Sequence, residues 1–163
     1  MPRKKQTETG DLGHKVKSGW EILKDRLDDV EAYNREYLAF LSSVKTEREA
    51  VAYIREASRG VRDFILIENR GKVVACCRKG RLPLGEGVRL VVAHIDSPRL
   101  DLKANPLYED VDFAMLKTHY YGGIKKYQWL ARPLAIHGVV ARQDGKLVEV
   151  AVGEDESDPC FTI

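Results

Sequence analysis

Gly60 divides this chain into two kinds of sequence, and that division limits the folds open to it. Before Gly60, apolar residues recur at three- and four-residue steps. Val16, Trp20, Leu23, Leu27 and Val30 form one stripe, and Tyr33, Tyr37, Phe40, Leu41 and Val44 carry it onward. That spacing predicts helix, with a break between two helices expected at Asp28-Asp29. A further helix has a clearer start. Thr46 and Glu49 stand three apart, so each side chain can satisfy the other's free backbone N–H as a capping box. Ala50, Tyr53, Ile54 and Ala57 form its expected apolar face, and Gly60 is its natural stop.

Beyond Gly60 the pattern turns to β. Phe64–Ile67 and Val73–Cys77 flank Glu68-Asn69-Arg70-Gly71-Lys72, which reads as a hairpin turn. Cys76 and Cys77 are adjacent. Neighbours on a strand point to opposite faces, so the pair is expected as two reduced thiols in a buried strand and not as a chelate. A loop with Pro83, Gly85 and Gly87 leads into Val88–Ala93, a run apolar on both faces as the centre of a covered sheet requires. Helices followed by such strands predict an α/β layered fold. After Pro98 the chain reads as a mainly β second unit. Leu134–Val140 and Leu147–Val152 are joined by Gln143-Asp144-Gly145-Lys146, whose Asp-Gly is a hairpin signal. The last residues, Asp158 to Ile163, end in a fresh apolar run, and the chain is expected to be a truncated portion of a longer protein.

Charge excludes two classes of partner. Lys plus Arg number 27 against 25 Asp plus Glu, a net charge of +2, which gives neither a nucleic-acid platform nor a membrane surface. Arg3-Lys4-Lys5 reads as a solvated end. The polar run Gln6 to Asp11 follows it where a secretory signal would need an apolar core, and no stretch is long enough to span a bilayer. Three cysteines without a pairing pattern fit a reducing cytoplasm. A 44% hydrophobic, 32% charged chain can form a core, which argues against bulk disorder.

The chemistry concentrates in Val91-Val92-Ala93-His94-Ile95-Asp96-Ser97-Pro98. A strand delivers His94 and Asp96 at its C-terminal end, and a two-residue step puts both side chains on one face. Ligand sites of α/β sheets gather at those strand ends. An imidazole nitrogen can bind a divalent metal while a carboxylate fixes the other ring nitrogen. A histidine that is merely hydrogen-bonded fits the same three letters. His14, His119 and His137 read as structural, and Glu154-Asp155-Glu156-Ser157-Asp158 reads as a solvated acidic loop.

The stretches Ala93–Lys103, Asn105–Glu109 and Lys117–Trp129, with its Tyr-Gly-Gly element, resemble the aspartyl aminopeptidase family, the relatives of vacuolar aminopeptidase I, and its bacterial branch in particular. The similarity runs from about Trp20 to Ile163. It implies the N-terminal part of a zinc-exopeptidase-like α/β domain over residues 1–99, followed from 100 to 163 by the start of an inserted β-rich dimerisation domain. It implies a metal-dependent aminopeptidase that acts on peptides with a free N-terminus, with acidic residues favoured. Zn²⁺ is the implied cofactor, two divalent ions in the intact enzyme, and the implied assembly is a dimer-based dodecamer. His94 matches the first metal-ligand histidine and Asp96 the carboxylate that supports it. The glutamate general base and remaining ligands have no match in this chain, so these residues alone are expected to be inactive. Tyr121-Gly122-Gly123 is either a loop at the catalytic cleft or a turn in which glycine supplies positive φ. Lys125 and Lys126 either attract an acidic side chain or form a solvated face. The competing functions are a non-catalytic interaction module and a different dinuclear hydrolase such as a deacylase.

Overall fold

The computed structural model describes residues 16–163, which divide into two compact units, one ending at Leu41 and one running from Ser42 to Ile163. His14, the basic cluster Arg3-Lys4-Lys5 and the polar run Gln6 to Asp11 lie outside the described residues. Among the described residues, no helix is long and apolar enough to cross a membrane.

The first unit is helical, as its spacing predicts. Helix α1, Gly19–Leu23, opens on a capping box that the apolar pattern had not signalled: Glu21 N donates to Ser18 Oγ at 3.2 Å, and Ser18 N donates to Glu21 Oε2 at 3.0 Å. The break falls at Lys24–Arg26, earlier than Asp28-Asp29. Both aspartates sit in the first turn of α2, Leu27–Ser43, where the helix's unpaired N–H groups favour negative charge. Several residues of the apolar stripe face solvent, Trp20 at 70% and Tyr33 at 72% exposure.

The second unit begins with helix α3, Glu47–Ala57. Its capping box forms as expected: Glu49 N donates to Thr46 Oγ1 at 3.3 Å and Thr46 N donates to Glu49 Oε2 at 2.8 Å. Its inward face is turned by about one residue from the expected one. Ala50 and Val51 are buried and Ile54 half-buried, whereas Tyr53 and Ala57 are exposed. Strands β1, Phe64–Asn69, and β2, Val73–Arg78, pair antiparallel around the three-residue turn Arg70-Gly71-Lys72, in which Arg70 and Gly71 take positive φ. Arg48 Nη1 donates to Arg70 O at 3.0 Å and Arg55 pairs with Glu68, so two side chains of α3 grip this hairpin.

Two expectations fail here. Cys76 and Cys77 are both exposed although they point to opposite faces of β2, so the strand is not buried at its C-terminal end on either side among the described residues. Val88–Ala93 forms no regular secondary structure and joins no sheet, and Val88, Leu90, Val91 and Val92 are 73–92% exposed. Its composition suits a covered strand, but a strand needs a partner to pair with, and the described residues supply none.

The rest is antiparallel. Strands β3, Arg99–Asp110, and β4, Phe113–Tyr121, pair with a register shift between Leu102 and Leu107. Val111 and Asp112 turn the chain at φ 50 and 64. Strands β5, Ile136–Ala141, and β6, Leu147–Val152, form the hairpin that Asp144-Gly145 signalled. The terminal apolar run folds back: Leu134 N donates to Phe161 O at 2.9 Å. Helices followed by three two-stranded sheets make the chain α/β in class.

Candidate metal centre

His94 and Asp96 meet as their spacing predicts, although the segment that carries them belongs to no sheet. His94 Nδ1 lies 2.8 Å from Asp96 Oδ1 and 3.0 Å from the Asp96 carbonyl oxygen. Both partners are acceptors, so the ring proton belongs on Nδ1, and the lone pair is left on Nε2. The imidazole is 83% exposed and stands at an open pocket of about 350 Å³ lined also by Glu47, Lys72, Asp96 and Tyr121. This is the form in which histidine binds zinc, with its second nitrogen held by a carboxylate. A catalytic zinc takes three protein ligands. Among the described residues, no three His, Cys, Asp or Glu side chains converge closely enough to hold a metal. The donor chemistry therefore fits a single imidazole contribution and not a complete centre.

Asp96 has a second partner that the sequence did not disclose. Tyr121, the last residue of β4, donates its hydroxyl to Asp96 Oδ2 at 2.7 Å. The hydrogen bond from Tyr121, and then that from His94, hold the Asp96 carboxyl below its ordinary pKa. The Tyr121 ring lies 4.1 Å beneath the Arg99 guanidinium, which is fixed by Asp101 at 2.7 Å and Glu47 at 3.3 Å. The two readings of Tyr-Gly-Gly thus describe one stretch: Gly122 is a turn residue at φ 71, and Tyr121 reaches the pocket. No local pattern predicts a contact across 25 positions. The only sequence signal was the nearness of glycines to an aromatic pair.

The other candidates lie elsewhere. His119 Nδ1 is 3.2 Å from the Tyr120 carbonyl oxygen. Lys126 sits over the Tyr120 ring at 4.6 Å. The acidic loop caps itself, Asp158 accepting from the backbone N–H of Gly153 and Asp155. His137 is structural in a definite sense. Its Nδ1 lies 2.7 Å from Glu49 and its Nε2 2.8 Å from Glu154, so the ring joins α3 to the chain leaving β6. The carboxylates lie on opposite sides of the ring, so the trio cannot share one ion.

Comparison with known proteins gives the family of the chain. Residues 41–163 match the family of aminopeptidase I zinc metalloproteases, M18. A probable M18 family aminopeptidase 1 from Clostridium acetobutylicum is 45% identical over 171 aligned positions, 94% of this chain and 37% of the relative. Its Thermotoga maritima counterpart is 46% identical across 83% of this chain and 33% of its own. Among solved structures, aminopeptidase I from Borrelia burgdorferi B31 superposes with a TM-score of 0.82 at 37% identity, over 90% of this chain and 40% of that one. An M18 aminopeptidase from Thermotoga maritima gives 0.81 at 42% identity, over 92% and 36%. The chain spans little more than a third of the length of these relatives.

Proposed function

Because the chain belongs to the M18 family of aminopeptidase I zinc metalloproteases, we propose that it forms part of a metalloaminopeptidase, to which it contributes His94 as one metal ligand and Asp96 as the group that orients it. The observation that carries this reading is the Nδ1–carboxylate contact, 2.8 Å long, which frees Nε2 for a cation. When bound, zinc supplies Lewis acidity that polarises a peptide carbonyl and acidifies water. Asp96 keeps its charge, holds the His94 proton on Nδ1 and strengthens the ring as a donor. Glu47, Lys72 and Tyr121 add polar groups to the wall of the pocket on this chain. Further ligands and the general base come from outside the described residues, and the 163-residue chain by itself does not turn over peptides.

The finer features follow from the resemblance. The substrates are peptides with a free N-terminus, acidic ones favoured. The intact enzyme holds two divalent ions and assembles as a dimer-based dodecamer in the cytoplasm, a reducing compartment in keeping with three free cysteines. Residues 1–99 belong to the catalytic domain and 100–163 to the β-rich dimerisation domain. Exposed Leu107, Val111 and Phe113 near the β3–β4 turn favour an association surface there. These residues support the second reading, in which the chain acts as an interaction module without catalysis.

The test is His94→Ala in the complete gene product. Metal content and hydrolysis of peptides with free N-termini should both be lost, while the circular dichroism spectrum stays as it was. Unchanged metal content and rate would remove His94 from the site. Activity confined to N-acylated substrates would replace the aminopeptidase by a deacylase.

A further inference from the structure

We propose that Tyr121 is a positioning residue, whose hydroxyl fixes the Asp96 carboxylate and through it the tautomer and orientation of the His94 ring. The proposal rests on the reading of His94 as a metal ligand. Its basis is what holds each group in place. Asp96 lies in a segment with no strand partner, so no backbone ladder locates it. Its side chain is located by two contacts, His94 on Oδ1 and Tyr121 on Oδ2. The first cannot anchor the pair, because the His94 side chain is 83% exposed. The anchor is therefore Tyr121.

Tyr121 is well placed for that part. Its backbone is paired with Arg99 at the end of the β3–β4 ladder. Its ring is covered by the Arg99 guanidinium at 4.1 Å, and Arg99 is held by Asp101 and Glu47. The next residue, Gly122, brings the backbone close to Pro98: a Cβ there would stand 3.5 Å from the proline ring. Two stretches 25 positions apart are thus closed on each other at both ends of the Asp96–Pro98 segment. A carboxylate gripped through Oδ2 cannot rotate away from the imidazole. One left with His94 alone can, and the Nδ1 proton then loses its preferred acceptor.

Tyr121→Phe removes only the hydroxyl and keeps the ring beneath Arg99. In the complete gene product, labelled with ¹⁵N-histidine, solid-state NMR reports the tautomer of each ring, and His94→Ala assigns the His94 signal. Zinc affinity is read by competition with a chromophoric chelator. Tyr121→Phe should shift His94 from a single Nδ1–H tautomer toward a mixture and weaken zinc by about 2- to 10-fold, the range for one hydrogen bond. In an Asp96→Ala background the same change should do nothing, because Tyr121 acts through Asp96. A residue with only a packing role would leave the tautomer alone and weaken both backgrounds equally, which overturns the proposal. If His94→Ala loses zinc but Tyr121→Phe changes neither readout, the positioning role falls and the ligand assignment stands. Full zinc affinity in His94→Ala removes both.

Discussion

At the scale of single residues, His137 makes the sharpest demand. Both of its nitrogens face carboxylates, which only accept, so the bridge between Glu49 and Glu154 is complete only when the ring carries two protons. Burial works against that charge, but the two carboxylates outweigh it, and the folded pKa lies above 6.5. Its contribution to stability is therefore fully present below pH 6.5 and is lost as pH rises through the folded value. Glu49 has the opposite sense. Burial pushes it up, yet the hydrogen bond from His137 and those from Lys45 and Thr46 hold it below 4.5, so its contribution fades as pH falls through the lowered value. His137→Ala should lower the melting temperature most at about pH 6 and much less at about pH 9; an equal loss at both would show that the ring is not charged. Asp96→Asn should cost about 10–100-fold in metal affinity or turnover, as loss of a group that orients a ligand commonly does. His94 and Asp96 were legible because two positions apart is a local relation. Tyr121, Glu47 and Arg99 were not, because their meeting depends on how a hairpin and a helix are placed.

At the scale of elements, local chemistry decided what could be read in advance. The α3 cap and the β1–β2 and β5–β6 hairpins follow from residues within a few positions of each other, and they formed as expected. Thr46→Ala should cost about 1 kcal/mol, measured by denaturant unfolding, because it strips the cap from the helix that bears Glu49. The β3–β4 turn is the exception. Val111 at φ 50 is a β-branched residue in a left-handed conformation, and no turn signature marks it. Val111→Asn should stabilise this hairpin by about 1 kcal/mol, since asparagine tolerates that backbone and valine does not; a loss of stability would mean that the Val111 side chain makes a needed contact. The Val88–Ala93 run went the other way. Its apolar character predicted a covered strand, but coverage is a property of neighbours and cannot be read from the run itself.

At the scale of the whole molecule, that uncovered run sets the behaviour of the chain. Val91 is 92% exposed and Leu90 81%, and Ile65, Ile67 and Val73 on β1 and β2 are exposed as well. An exposed apolar segment that belongs to no sheet associates readily with another copy. Sedimentation of the 163-residue chain should show concentration-dependent association, reduced by Val91→Lys; a monomer at all concentrations would show that the run is covered in solution. The closure of Asp96 on Tyr121 has a further consequence. Strand side chains alternate faces, so a slip of β4 by one position against β3 would swing the phenol to the opposite side of the ribbon. Only a correctly threaded hairpin can deliver that hydroxyl. The imidazole is thereby made a proofreader of the fold, settled into its working pose when the distant ribbon has found its proper alignment.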